Sequence, residues 1–169
     1  MRTFHDQFVE LFNTHFARLK RYLDRLSGEP DLAADLAQEA FVRLYRRGSL
    51  PDAPEAWLIS VSLNLFRNER STRSRRRRLL TLERAEHAHS DPSPSPENAA
   101  GAGDVGGRVR LAIDKLSERE RRLLLLRAEG YSYRDIAAAL ELDEASIGTL
   151  LARAKRAFLE RCGDADDAP

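Results

Sequence analysis

Residues 116–161 constrain this chain more than any other stretch. They read LSERERRLLLLRAEGYSYRDIAAALELDEASIGTLLARAKRAFLER. Ser117-x-x-Glu120 opens one helical pattern, which runs through the leucines at 123–126 and stops at Gly130. Ser132-x-x-Asp135 opens the next, with Ile136, Ala137 and Leu140 turned inward. After a tight break at 141–143, capped by Asp143, a last helix follows. Its Ile147, Leu151, Ala154 and Phe158 share one stripe. Two helices joined by so short a turn have the layout of a helix-turn-helix, whose second helix lies in the major groove of DNA.

The outward side of that last helix suits the task. Ala145, Ser146, Gly148 and Thr149 are small enough to let the first turns approach base edges. Arg153, Lys155 and Arg156 follow where phosphates would be met, fixing register and supplying salt-dependent affinity. An ordinary helical hairpin in a bundle is the plainer alternative. Net charge is only +1, so bulk charge does not announce a nucleic-acid partner. Its distribution does more. Arg67, Arg70, Arg73, Arg75, Arg76, Arg77, Arg78 and Arg84 are set against Glu69 and Glu83 alone. That stripe is an electrostatic footprint for phosphate, or else a solvated arginine run.

Upstream, Phe4, Phe8, Leu11, Phe12, Phe16, Leu19, Leu23 and Leu26 recur at helical spacing and predict a long first helix closed at Ser27 and Gly28. Asp31 can cap a second helix that buries Leu32, Leu36, Ala40 or Phe41, and Leu44, and ends at Gly48. Asp52-x-x-Glu55, with Pro54 in the first turn, starts a third. There Trp57, Leu58, Val61 and Leu65 fall on one face, and Leu79, Leu80 and Leu82 extend or dock its far end. Val109, Ala112, Ile113 and Leu116 mark a short helix leading into the helix-turn-helix. Between them a Pro, Ser and Gly-rich segment has no apolar periodicity and reads as a flexible linker. The expected architecture is therefore all-α, with two small helical domains, each with a modest core. The boundaries fall at 1–84, a linker at 85–107, a helix-turn-helix (winged-helix-like) domain at 108–162 and a disordered tail at 163–169.

Other classes find little footing. A single cysteine, Cys162, cannot form an internal disulfide and fits a reducing compartment. No apolar run approaches the roughly 18 residues of a membrane span. The first residues lack the pattern of a signal peptide, so a cytoplasmic location is expected. No Gly-rich phosphate loop, nucleophile elbow or Cys/His metal spacing occurs, and no enzyme activity or cofactor is expected. His87 and His89 have no further ligands at metal spacing.

The chain also resembles a known family. The C-terminal stretch is similar to the last domain of sigma factors of the extracytoplasmic-function type. The resemblance rests on Leu116 to Glu118, Leu126 to Gly130, Asp135 to Ala137, and Ser146 to Lys155. DLAADLAQEAFVRLYRR and PEAWLISVSLNLFRNERSTRSRRRR resemble the other domain of the same family, in the right order. The resemblance implies a promoter-specificity subunit that binds core RNA polymerase and promoter DNA, and that is often held by an anti-sigma protein. It implies polymerase docking by Asp35, Gln38 and Glu39, with Leu36 and Phe41 in support. It also implies reading of the −10 element by the loop at 49–56 with Trp57, Asn64 and Asn68. Arg70, Arg73, Arg75, Arg76, Arg77 and Arg78 would then lie on the backbone. An asparagine amide both donates and accepts on one base edge, as reading an extruded base requires. The last helix would read the −35 element.

Departures qualify what is implied. Gly148 and Leu150 stand where many members are basic, which lowers the charge of the −35 contacts. Arg-Asn-Glu-Arg after Leu65 and Phe66 replaces a commoner Ile-Asp pattern. The rival reading is a stand-alone helix-turn-helix regulator. Such proteins usually dimerise, and no spare apolar helix offers a dimer face.

Overall fold

The structure, a computed structural model, describes residues 1–87 and 105–163. The described residues form helices α1 (Phe4–Ser27), α2 (Pro30–Arg47), α3 (Pro54–His87), α4 (Val105–Asp114), α5 (Glu118–Ala128), α6 (Tyr133–Leu140) and α7 (Glu144–Gly163). The all-α expectation holds. No strand occurs among the described residues, so the helix-turn-helix carries no wing there. Residues 88–104 and 164–169, which hold His89, most of the expected linker and most of the expected tail, lie outside the described residues.

The start and stop signals act largely as local chemistry dictates. Ser117 Oγ accepts from the Glu120 amide while the Glu120 carboxylate accepts from the Ser117 amide, closing a capping box. Ser132 Oγ accepts from the Asp135 amide, and Asp143 Oδ1 accepts from the Ala145 amide. Gly28 and Gly48 end α1 and α2 in the left-handed region, at φ of 73° and 74°. Thr3 and Asp6 form a further capping box at the start of α1, beyond the signals read from sequence. Two expected caps are replaced. α2 begins at Pro30, where a missing N–H costs nothing, so Asp31 lies in its first turn rather than at its cap. The Glu55 carboxylate accepts from Arg18 and approaches His15, so its strongest partners are on α1 rather than at the start of α3.

The buried faces differ from the sequence pattern in an informative way. α3 buries Ala56, Leu58, Ile59, Ser62, Leu63 and Phe66, while Trp57, Val61 and Leu65 sit half-buried at its edge. The reason is that α3 is covered from two sides, by α2 and by α6. Its far half emerges from the body: Leu79, Leu80 and Leu82 extend the helix and are exposed, not docked. Val109, expected inside, is exposed as well, and α4 buries Ala112.

The two helical parts pack against one another, a relation the sequence leaves open. One continuous apolar cluster joins Leu19, Leu23, Phe41, Leu44, Ile59 and Leu63 to Leu123, Leu126, Tyr131, Ile136, Ile147 and Leu151. α1 packs on α5, and α3 packs on α6. Neither half alone encloses much apolar volume, and pressing them together buries surface that both would otherwise expose.

Candidate nucleic-acid interface

The last helix presents two opposite faces. Ile147, Leu151 and Ala154 are buried against the rest of the helix-turn-helix, with Phe158 half-buried behind them. Ala145, Ser146, Thr149, Arg153, Lys155 and Arg156 are exposed on the other side. Gly148 is half-buried, and a Cβ there would meet the Tyr133 ring at 3.7 Å, an ordinary contact. Packing therefore does not demand glycine at this position. Arg127 lies over the Tyr133 ring at 5.2 Å, which stiffens the start of α6. Arg161 donates to the Lys115 carbonyl, tying the end of α7 to the turn before α5. The break between α6 and α7 turns on Glu141, a non-glycine residue at φ 56°.

α3 carries the arginine stripe. Arg67, Arg70, Arg75, Arg76, Arg77 and Arg78 are exposed. The Arg70 guanidinium stands 5.7 Å from the centre of the Phe66 ring. Arg73 is engaged differently. It donates to both Glu29 carboxylate oxygens, at 2.7 and 2.8 Å, and to Glu69 at 2.9 Å. Those hydrogen bonds, with the Glu29 charge, push its pKa above the usual arginine value. Asn64 and Asn68 are exposed, and Trp57 is half-buried against the core.

On α2, Asp35 and Gln38 are exposed, and half-buried Glu39 accepts from Arg43 at 2.8 Å. Leu36 and Phe41 are buried, so they support the helix from within and do not reach its outer face. Beside Gln38, the Phe8, Phe12, Phe16 and Phe41 rings line an apolar groove with Val42 and Tyr45.

The structure also assembles residues that the sequence pattern does not bring together. His15, Arg18, Glu55 and Tyr131 meet where the two halves join. Arg18 lies over the Tyr131 ring at 4.2 Å and donates to Glu55. His15 Nδ1 accepts from Arg18 at 2.8 Å, leaving Nε2 3.4 Å from Glu55. Burial, helped by the Arg18 charge, holds the His15 pKa below its ordinary value against the pull of Glu55 and Asp135. Burial also pushes the Tyr131 hydroxyl up to about 12. Arg21 and Arg25 both reach Glu129, at 3.1 and 2.8 Å. Arg18, Arg21 and Arg25 recur three to four apart on α1, the one readable signal of a charged stripe there.

Between α3 and the helix-turn-helix lies a cleft of about 310 Å³. Ser60, Leu63, Asn64 and Arg67 form one wall, and Arg119, Arg122 and residues 139–142 the other. Asn64 and Arg67 thus face α5 and α6 in this arrangement. Among the described residues no group of three or more His, Cys, Asp or Glu side chains is placed to hold a metal ion. No described helix is long and apolar enough to cross a membrane.

Comparison with known proteins agrees with both halves of this layout. Residues 11–77 match the family described as sigma-70 region 2, and residues 106–158 match sigma-70, region 4. The ECF RNA polymerase sigma factor SigE of Mycolicibacterium smegmatis is 32% identical over 150 residues, covering 87% of this chain and 57% of that protein. The ECF RNA polymerase sigma factor EcfG of Rhodopseudomonas palustris is 33% identical over 147 residues, covering 82% of this chain and 74% of that one. The chain thus spans little more than half the length of the first of these relatives. In fold it is similar to the sigma factor RpoE of Bartonella quintana, solved in complex with the anti-sigma factor NepR. There the TM-score is 0.63, the identity 21%, and the match covers 92% of this chain and 96% of that one.

Proposed function

The chain belongs to the extracytoplasmic-function sigma factors of RNA polymerase, and on that footing we propose that it binds core polymerase and directs it to promoters. It acts by recruitment, not by catalysis. The exposed face of α7 reads the −35 element through Ala145, Ser146, Gly148 and Thr149, with Arg153, Lys155 and Arg156 on phosphates. α3 reads the −10 element through Asn64 and Asn68, beside Trp57, while its exposed arginines hold the backbone. Asp35, Gln38 and Glu39 on α2 dock on the polymerase.

The observation that carries this reading is the presence of both sigma regions, in order, on one chain. A stand-alone regulator needs only the second. The site assignments draw support from exposure: each assigned side chain other than Gly148, Trp57, Glu39 and Arg73 is well exposed, and Leu36 and Phe41 act from inside α2. An anti-sigma protein is a further proposed partner, since RpoE of Bartonella quintana is found with one.

The deciding experiment mixes the protein with sigma-free core polymerase and measures complex formation and promoter-dependent transcription. Core binding and specific initiation are expected. Reversing the charges of Asp35 and Glu39 is expected to weaken core binding while helicity is retained. A chain that binds DNA but never core polymerase would sink the sigma reading.

A further inference from the structure

Where the end of α1, the start of α2 and the middle of α3 meet α4 and α5, the chain leaves a cavity of about 750 Å³. That is room for a small molecule, since ligand sites run from about 300 to 1,000 Å³. Four guanidiniums line it, those of Arg70, Arg73, Arg110 and Arg121, and they come from three helices. Three carboxylates line it as well, and they are unevenly used. Glu29 and Glu69 both accept from Arg73, at 2.7, 2.8 and 2.9 Å, so that arginine is fully matched. Asp114 stands 3.7 Å from Arg110, too far for a hydrogen bond. Arg70 and Arg121 have no carboxylate partner among the described residues. The Arg70 guanidinium stands over the Phe66 ring instead. Arg121 donates one long hydrogen bond, 3.4 Å, to the Asp114 carbonyl, and its buried Nε has no partner among the described residues. A buried donor left in that state calls for an explanation. Arg110 is held against the end of α1, where a Cβ on Gly28 would collide with its guanidinium.

Three cations thus converge from α3, α4 and α5 with little to neutralise them. Like charges brought together oppose the compact state, and guanidinium N–H groups are strong donors to phosphate. Such an arrangement is stabilised by a ligand that supplies two or more negative charges. The rest of the wall is apolar. Leu26 and Phe66 are buried, Leu32 is half-buried, and Leu111 is 47% exposed. A leucine left open beside unmatched arginines favours a ligand with an apolar, planar part next to its charges. A free phosphate or sulfate would leave that wall wet.

We propose that this cavity binds a nucleoside diphosphate or triphosphate, with its phosphates on Arg70, Arg110 and Arg121 and its base against Leu32 and Leu111. Of the lining residues, only Arg70 and Arg73 also belong to the stripe proposed to meet DNA. The binding itself does not depend on the sigma reading.

The test titrates the full chain, in magnesium-free buffer, with ATP, ADP, adenosine and inorganic triphosphate, followed by calorimetry. One saturable site is expected for ATP and ADP, with adenosine and inorganic triphosphate each weaker by about tenfold or more. Arg110→Gln and Arg121→Gln should each weaken ATP binding by about tenfold, as loss of one charge-assisted hydrogen bond implies. Leu111→Glu puts a repelling charge at an exposed position of the wall and should do the same. It keeps the test decisive should Arg121→Gln disturb folding, which circular dichroism checks. Changing Arg75, Arg76, Arg77 and Arg78 together to Ala removes more positive charge without touching the cavity, and should leave ATP binding unchanged while weakening DNA binding. No saturable binding of ATP or ADP below about 1 mM overturns the proposal. Equal binding of inorganic triphosphate overturns it as well, since the apolar wall then takes no part. Loss of ATP binding in the stripe variant but in none of the cavity variants places the anion on the exposed arginines and also overturns it. So does a random single-stranded oligodeoxynucleotide that loses affinity in the cavity variants while ATP does not bind, since the cavity is then part of a DNA track.

Discussion

The guanidinium of Arg18, on the first helix, lies 4.2 Å from the centre of the Tyr131 ring, in the turn before α6. This contact crosses the seam between the two halves, and Tyr131 is 2% exposed within their shared core. Removing the ring by Tyr131→Ala should destabilise the protein by about 3 kcal/mol, as for other buried aromatics. Tyr131→Phe, which keeps the ring, should cost about 1 kcal/mol or less. A double-mutant cycle with Arg18→Met should give a coupling of about 1 kcal/mol. Urea unfolding, followed by circular dichroism, measures all three. An unchanged midpoint in Tyr131→Ala would mean the seam adds nothing to stability.

His15 gives the seam a pH dependence. Its folded pKa lies below the unfolded value of 6.5, first through burial and then through Arg18. The unfolded chain therefore binds the proton more readily. The stabilisation is fully present above pH 6.5 and is lost as pH falls through the folded pKa. Glu55 and Asp135 oppose the shift and soften the loss. The urea midpoint should fall between pH 7.5 and pH 5.5, and His15→Gln should flatten that limb. An equal slope in the variant would assign the effect elsewhere.

Tyr131 sets the opposite limb. Its hydroxyl is pushed from 10.0 to about 12 by burial, so the unfolded chain ionises first. Stability contributed by this group is complete below pH 10 and declines as pH rises towards 12. Tyr131→Phe should reduce the decline, measured as the urea midpoint at pH 9 and pH 11.

Glu141 adopts φ 56° without being glycine, at the turn between α6 and α7. A side chain in that region costs about 1 kcal/mol. Glu141→Gly should raise stability by no more than about 0.5 kcal/mol, because the entropic cost of glycine in the unfolded chain offsets most of the strain relieved. Thermal unfolding should show a rise of about one degree, whereas a fall would mean the carboxylate makes a contact worth more than the strain.

The exposed arginines of α3 and the cations of α7 should separate in DNA assays. Changing Arg75, Arg76, Arg77 and Arg78 together to Ala should weaken binding about equally across sequences. The salt slope should fall by about 1 for each phosphate left without its arginine. Ser146→Ala or Thr149→Ala should instead change the preference among −35 sequences with little change in slope. Titrations at three salt concentrations distinguish the two patterns. A sequence-selective loss on changing the α3 arginines would show that they read bases.

Much of this was legible in the linear pattern, because it depends on neighbours three or four residues apart. The Ser117 and Ser132 starts, the Gly28 and Gly48 stops, and the Ile147–Leu151–Ala154 stripe are local physics. The two motifs that resemble sigma regions are likewise properties of order and spacing. What the linear pattern leaves out shares one cause. Trp57, Val61 and Leu65 look like the inward face of α3, but α6 covers that helix from a second side and turns Ile59 and Leu63 inward as well. Arg73 lies in the arginine stripe, and its Nη1 also donates to Glu29, far away in the chain.

Residue order and spacing thus account for the helices of the described residues and for the two surfaces proposed to meet DNA. They do not say how the two halves meet. That is set by Glu129 meeting Arg21 and Arg25, by Tyr131 lying under Arg18, and by Asn64 facing α6. Burial of Tyr131 and Glu129, and with it pairing strength, comes from apolar surfaces contributed by both halves. Local sequence carries no term for that meeting.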